Sequence, residues 1–478
     1  MEYNINVSQK HNINRKKYFM YEINLSNPVH VHFIGIGGIS MSGIAELLLS
    51  NGFTVSGSDN NESQLTRELS DKGADITIGQ SADNINDSID VVVYTAAIGK
   101  DNPEYKSAVS KNLPMLSRAE ILGEIMKSYA SPIAVSGTHG KTTTTSMIST
   151  MLLAENTDPT LSIGGILKDI GGNFRVGRSD YFVTEACEYT NSFLSFSPKY
   201  SVILNIEEDH LDFFKDINDI RNSFHLFAKL LPEDGGLVIN GHIPNACEIT
   251  EGLSCPVITF GNDSSFDYYP ENITFDDNAH ASFTAHRKGK ENVDVTLSVP
   301  GEHNILNALA AIALCDLIGV TSKASLSALS LFGGADRRFE YKGKLNGFTI
   351  VDDYAHHPTE ITTSLSAAAK VNHNRIVCVF QPHTYSRTKS FLKDFAVSLS
   401  AADIVILADI YAAREKDNLG ISSENLKDEI EKLGTKCFYF PSFEEIEKFI
   451  LENCKENDLL ITMGAGNVVN IADSLLSR

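Results

Sequence analysis

Short apolar runs alternate with longer stretches of helical period along most of the chain. His30-Val-His-Phe-Ile34 predicts a strand, Ser40 to Ser50 a helix, Thr54-Val-Ser56 a second strand and Val91-Val-Val-Tyr94 another. Such alternation marks a parallel sheet with crossover helices. The pattern restarts at Pro132-Ile-Ala-Val-Ser136, with a helix from Lys141 to about Glu155 and apolar runs at Tyr181–Thr184 and Ser201–Asn205. Between about Cys255 and Pro300 the apolar spacing drops to two residues, as in Val293-Asp-Val-Thr-Leu-Ser-Val299, which predicts an antiparallel excursion. A helix from Asn304 to Leu317 follows, and a third α/β set begins at Thr349, with strands at Ile376–Phe380, Ile404–Ala408 and Leu459–Met463. The expected plan is three α/β domains covering residues 29–117, 118–332 and 333–478. Residues 1–28 are read as a flexible tail without the apolar core of a secretory signal, and Met20 is a possible start.

Composition narrows the function classes. At 478 residues the chain is too long for a single core. No run of eighteen apolar residues appears, so no membrane partner is expected. The net charge of −21 counts against nucleic acid, and an anionic substrate must be held by local positive features. Seven cysteines, odd in number and never paired as C-x-x-C, argue against a disulfide framework or a zinc site and for a reducing cytoplasm.

Two glycine loops carry the candidate chemistry. Gly35-Ile-Gly37-Gly38 closes a strand and opens a helix, where backbone N–H groups can approach a diphosphate at the positive helix end. Ser58 and Asp59 end the next strand, where dinucleotide folds place a ribose-binding acid. Position 40 is Ser and the next glycine is Gly43, so the spacing departs from G-x-G-x-x-G. A diphosphate site is the preferred reading; an NAD-dependent sugar-nucleotide oxidoreductase is the rival from another class.

The second loop, Gly137-Thr138-His139-Gly140-Lys141-Thr142-Thr143, lies between a β-branched strand and a helix. There backbone amides would wrap phosphates, Lys141 would neutralise the β/γ oxygens and the Thr142 hydroxyl would face Mg²⁺. It is two residues shorter than G-x-x-x-x-G-K-[ST], whose first glycine would fall on Val135.

With its further blocks the loop resembles the Mur ligase family. These blocks are Glu185-Ala-Cys-Glu188, Asn205 with Asp209-His210, Gly301-Glu-His303-Asn304 with Asn307, Arg337-Arg338-Phe339, and Asp352-Asp353-Tyr354-Ala-His356-His357-Pro358. The resemblance implies three domains: a Rossmann-like one for a UDP-sugar, a central P-loop ATPase-type one, and a Rossmann-like one for an amino acid. Within the family, the first glycine loop and the His-His-Pro block imply joining of L-alanine to the carboxylate of UDP-N-acetylmuramate with ATP. A muropeptide-recycling relative is the alternative, and a monomer or weak homodimer is expected.

Site roles follow from the chemistry and from the resemblance together. Activating a carboxylate brings two anions together, so Lys141 and Mg²⁺ must screen the γ-phosphate. Thr142 and Glu185 offer hard oxygen to the metal; His210 is assigned to it by resemblance, and imidazole would suit Mn²⁺ as well. Resemblance places His303, Asn304 and Asn307 on ATP, with Arg338 toward the γ-phosphate and Asp353 toward the ribose or phosphates. Relatives hold a second metal through a carbamylated lysine, but Ile220 to Leu226 has no lysine and the nearest is Lys229, so that modification is not expected. Tyr354, His356, His357, His383 and Arg387 gather on loops of the last domain. Arg387 is the expected fork for the amino-acid carboxylate, and a neutral histidine, with His357 first, would take the amine's proton. Tyr411 and Arg414 are expected beside the same cleft.

Overall fold

The computed structural model describes residues 21–413, 415, 416 and 419–478. Residues 1–20, including Met20, and Arg414 lie outside the described residues. The chain divides into two compact units, up to Ser128 and from Tyr129 onward.

The first unit is a five-stranded parallel sheet in the order Asp75–Ile78, Thr54–Asp59, His30–Ile34, Val91–Tyr94, Met115–Ser117. Val31, Phe33, Val91 and Val93 are buried on one face and Ile34 and Val92 on the other, as a sheet covered by helices on two sides requires. Two expectations are corrected here. Residues 21–28 are not a free tail: Ile23 is buried and a turn closes through Asn27 N–H on the Asn24 carbonyl. The unit also does not end near residue 117. Ser117 and Glu120 form a capping box that starts the helix Arg118–Met126, whose Ile121, Leu122, Ile125 and Met126 are buried. That helix packs on the last two strands, so the unit continues to Ser128.

The second unit contains two sheets. One has ten strands, with Ser131–Ser136 flanked by Tyr181–Ala186 and Tyr200–Ile203, all parallel. The antiparallel excursion is present but starts later than expected. Val257–Phe260 still runs parallel to Gly236–Asn240 and to Tyr268–Phe275, and reversal comes with His280–Arg287 and Val293–Pro300. At the opposite edge Thr160–Leu167 pairs antiparallel with Gly172–Arg175, a hairpin that Gly164, Gly165 and a register shift hide from any two-residue pattern. The helices Lys141–Ala154 and His303–Leu317 pack against each other. The second is buried on nearly every face from Ile305 to Cys315. Truncating Ile312 to alanine in such a helix would cost about 2–5 kcal/mol.

The last sheet has six strands, ordered Glu340–Leu345, Phe348–Asp353, Leu459–Met463, Ile376–Phe380, Ile404–Leu407, Lys436–Tyr439. All neighbours are parallel except the first pair, a hairpin whose turn residues Asn346 and Gly347 both have positive φ. The third set therefore begins at Glu340 and not at Thr349. Its edge strand, with Lys342, Gly343 and Lys344, offers no apolar run to read. Among the described residues no helix is long and apolar enough to cross a membrane.

Candidate functional site

The second glycine loop is braced by Asn205, Thr138 and two glycines of positive φ. Gly137 has φ +144° and Gly140 φ +84°, values that side chains rarely adopt. A Cβ on Gly140 would lie 2.8 Å from Asn307 Oδ1. Asn205 clamps the loop from below: His139 N–H donates to its Oδ1 at 2.7 Å, and its Nδ2 donates to the His139 carbonyl at 3.0 Å. Thr138 Oγ1 accepts the Glu207 N–H at 2.9 Å.

Lys141 opens the following helix with all three donors engaged. Its Nζ donates to the Gly137 carbonyl at 2.5 Å, to the Thr138 carbonyl at 3.1 Å and to Glu188 Oε2 at 3.1 Å. Burial works against its charge, but Glu188 and Glu185 outweigh burial and hold the ammonium firmly protonated. Thr142 Oγ1 donates to Glu185 Oε2 at 3.1 Å, while Glu185 Oε1 accepts the Gly164 N–H at 2.5 Å from the edge hairpin. The second oxygen of Glu188, Oε1, is buried without a hydrogen-bond partner and lies 3.8 Å from His210 Nε2. Thr142, Glu185, Glu188 and His210 thus stand together around the lysine. His210 itself has φ +53° and stacks on Tyr189. Burial lowers its pKa, against the opposing pull of Asp209 and Glu188.

Next to the loop is a cavity of about 210 Å³, lined among others by Gly140, Thr143, His303, Asn304, Asn307, Arg338 and Asp353. The expected nucleotide residues from four sequence blocks therefore share one chamber. Asn304 does not cap its helix; its Nδ2 donates back to the Pro300 carbonyl at 2.8 Å and its Oδ1 accepts from Asn307 at 2.9 Å. Burial and the nearby Arg338 push His303 down to about 4, so it is a neutral ring. Burial lifts Asp353 to about 6 against the pull of Arg338, and its oxygens accept the N–H groups of Phe339 and Ala355. The two arginines divide their work. Arg337 binds Asp352 at 2.9 Å and the carbonyls of Gly464 and Gly466, whereas Arg338 faces the cavity.

The histidines of the last sheet meet the loop from the other side. His139 Nδ1 is 3.2 Å from Glu360 Oε1, and its Nε2 stands 3.5 Å from Glu207 Oε2. Burial would lower the His139 pKa, but these two carboxylates lift it to about 9. His357 caps the helix Pro358–Ala368, its Nδ1 receiving the Thr359 N–H at 3.4 Å, and burial beside His139 keeps it neutral. His356 is also neutral through burial, and His383 is pushed to about 4 by burial, His356 and Arg387. Arg387 donates to Asp209 Oδ1 at 3.0 Å, and Arg387 with His210 and His357 holds that carboxylate far below its ordinary range despite burial. Tyr354 lies under both Arg337 and Arg338 and meets His356 edge-on at 5.4 Å. Tyr411 stacks on His383, as the cleft reading expects.

In the first unit Gly35 has φ +83°, and a Cβ there would meet Thr95 Cγ2 at 2.6 Å. The N–H groups of Gly35 and Ile36 both reach the Ser58 carbonyl, at 2.8 and 2.9 Å. Gly37 N–H donates to Asp59 Oδ2 at 2.9 Å. Ser58 differs from expectation: its hydroxyl turns inward to Glu104 at 2.7 Å, within a buried network that also holds His32 and Asn84. It cannot present that hydroxyl to a ligand at the loop.

Three domain profiles match this chain in order: the Mur ligase family catalytic domain over residues 30–130, the Mur ligase middle domain over 135–315, and the Mur ligase glutamate ligase domain over 337–466. The chain belongs to the Mur ligase family. A relative from Agathobacter rectalis, a UDP-N-acetylmuramate–L-alanine ligase, is 62% identical over 96% of this chain and all of its own length. Among solved structures, UDP-N-acetylmuramate-alanine ligase MurC from Thermotoga maritima has a TM-score of 0.78 at 32% identity, covering 94% of this chain and 98% of that one. A murein peptide ligase from Psychrobacter arcticus has a TM-score of 0.69 at 27% identity, over the same shares of the two chains.

Several residues of this Mur ligase site were not singled out by sequence reasoning: Glu188, Asn205, Glu207, Asp209 and Glu360. Glu188, Asn205 and Asp209 stand inside blocks that were recognised, but only the fold shows them gripping Lys141, the loop backbone and Arg387. Glu207 and Glu360 had no signal beyond being acids near histidines.

Proposed function

We propose that this chain joins L-alanine to the carboxylate of UDP-N-acetylmuramate, using ATP and releasing ADP and phosphate, in peptidoglycan precursor synthesis. The observation that carries the reading is Lys141, held by two loop carbonyls and Glu188 beside the Thr142–Glu185 pair. An oxide is a hopeless leaving group from a carboxylate in water. The sugar-borne carboxylate therefore attacks the γ-phosphorus, giving an acyl phosphate and ADP. The amine of L-alanine then attacks the acyl carbon and phosphate departs.

Each stage has groups suited to it. The loop amides and Lys141 take the charge of the transferring phosphoryl group, with Arg338 as a second cation. His303, Asn304, Asn307 and Asp353 hold the nucleoside. The residues fit Mg²⁺: Thr142 and Glu185 supply hard oxygens, and the buried, unpartnered Glu188 Oε1 points to a missing positive group. His210 adds a nitrogen that Mn²⁺ would also accept. The ion would neutralise charge on the phosphates; the remaining steps belong to the side chains. Arg387 offers its fork to the amino-acid carboxylate once Asp209 yields it. His357 is neutral, and its Nε2 is buried without a hydrogen-bond partner, so we assign it the amine's proton. That requires the ring proton on Nδ1, at the expense of the long contact from Thr359. Gly35, Gly37, Gly38 and Asp59 are assigned to the UDP-sugar's diphosphate and ribose.

The test is phosphate release by the purified chain with ATP, Mg²⁺ and UDP-N-acetylmuramate. L-alanine should be required, and glycine and L-serine should serve poorly or not at all. Equal release with a tripeptide and none with L-alanine would transfer the assignment to the recycling ligase. Tight NADH binding by fluorescence titration would revive the oxidoreductase.

A further inference from the structure

Outside the Thr142–Glu185 pair, one cluster among the described residues has the composition of a metal site: His139, Glu207 and His357, with one ligand atom of each lying within 4.8 Å of the others. Two facts set it apart from an ordinary polar patch. The Nε2 atoms of both His139 and His357 are buried and make no hydrogen bond, and His357 is only 5% exposed. A buried imidazole nitrogen left without a partner, as at His357, is unusual, and His139 Nε2 meets only Glu207 Oε2, at 3.5 Å. The surroundings are also those of a prepared site. His139 Nδ1 lies 3.2 Å from Glu360 Oε1, so a carboxylate backs the first imidazole, one of the groups that stand behind metal-bound histidines. Thr359 Oγ1 donates to Glu207 Oε2 at 2.9 Å and fixes that carboxylate. Glu207 and Glu360 together supply two negative charges to offset a dication.

We propose that His139 Nε2, His357 Nε2 and Glu207 bind a borderline-soft divalent cation, Zn²⁺ in kind, with water as fourth ligand. Two imidazoles and one carboxylate form the N₂O set that zinc takes in open, three-ligand sites, whereas Mg²⁺ prefers oxygen alone. The site shares no ligand with the oxygen-rich pair that would hold Mg²⁺, and its His139 and Glu207 line the same cavity as Asn304 and Arg338. Metal at His357 Nε2 moves the ring proton to Nδ1 and gives up the 3.4 Å contact from Thr359, the one bond the ion must displace. His139 belongs to the phosphate loop and His357 to the cap of the helix Pro358–Ala368. The bound ion therefore ties the loop to the last sheet, and it occupies the nitrogen assigned to the amine's proton.

The experiment uses the full chain without nucleotide. Zn²⁺ titrated by calorimetry should bind, and Co²⁺ should give the visible absorption of a four-coordinate N/O site that Zn²⁺ abolishes. His357→Gln and Glu207→Gln should each lower Zn²⁺ affinity by about 100-fold or more, and Glu360→Gln by about 10- to 100-fold. His210→Gln should leave the affinity unchanged. Circular dichroism confirms that each variant is folded, and Zn²⁺ should raise the unfolding midpoint of the parent chain but not of Glu207→Gln. Absence of binding in the parent chain overturns the proposal. So does binding that survives His357→Gln and Glu207→Gln yet disappears in His210→Gln.

Discussion

The molecule contains two strand–glycine-loop–helix junctions that look alike locally and differ in what completes them. Gly35 and Gly140 have almost the same φ, +83° and +84°, and each would bring an added Cβ against a neighbour. At the first loop the completing group is an anion: Asp59 takes the Gly37 N–H. At the second it is a cation, Lys141, with Glu188 behind it. On the proposed function, the difference follows from what each loop has to do. A diphosphate that is only held can be met by amides, a helix dipole and a hydroxyl-seeking carboxylate. A phosphoryl group that changes charge while it moves needs a fixed positive charge beside it.

Lys141→Ala should break the comparison most sharply, lowering phosphate release by about 10³-fold or more while UDP-sugar binding by calorimetry stays nearly intact. Full activity would remove the lysine from the mechanism. The next effect is in stability. His139 titrates near 9 in the folded chain and near 6.5 when unfolded, so its ion pairs stabilise fully below pH 6.5 and fade as pH rises toward 9. Across that window the loss should be of order 2–3 kcal/mol, and His139→Gln should flatten the pH profile of the unfolding midpoint; an unchanged slope would refute the assignment. Gly140→Ala and Gly35→Ala form a crossed pair. Strain of about 1–3 kcal/mol should raise KM for ATP alone in the first and for the UDP-sugar alone in the second, by roughly 10- to 100-fold. An effect of either on both substrates would mean that the loops do not act separately. Smallest, Asp59→Asn should weaken UDP-sugar binding by about 3- to 10-fold with KM for ATP unmoved, and tighter binding would show that the carboxylate repels the diphosphate.

Local chemistry made both junctions legible in the sequence. Glycine, threonine and lysine at fixed offsets between a β-branched strand and a helix need no knowledge of distant parts. The parallel strands were equally readable, because burial on both faces leaves continuous apolar runs such as Val91–Val93. What escaped reading depends on encounters across the chain. Glu360 meets His139 from 221 residues away and Arg387 meets Asp209 from 178. Glu360 belongs to no spacing rule, and Asp209, though inside a recognised block, carries no mark of its distant partner. Ser58 failed for a related reason: its position at the strand end was right, but alternation along the strand turned its hydroxyl to the interior. The edge strands Thr160–Leu167 and Glu340–Leu345 escaped because one is interrupted by glycines and the other is rich in lysine.

The grip on Lys141 has a thermodynamic corollary. A free lysine side chain sheds a hydration shell and about 1.5–2 kcal/mol of rotational freedom when it is fixed against a ligand. Here both losses precede the nucleotide, because two carbonyls and Glu188 already hold the ammonium in place. Nucleotide association should therefore show a smaller entropic penalty than a mobile lysine would impose. Exchanging carbonyl for phosphate oxygen becomes a change of partner rather than a dehydration.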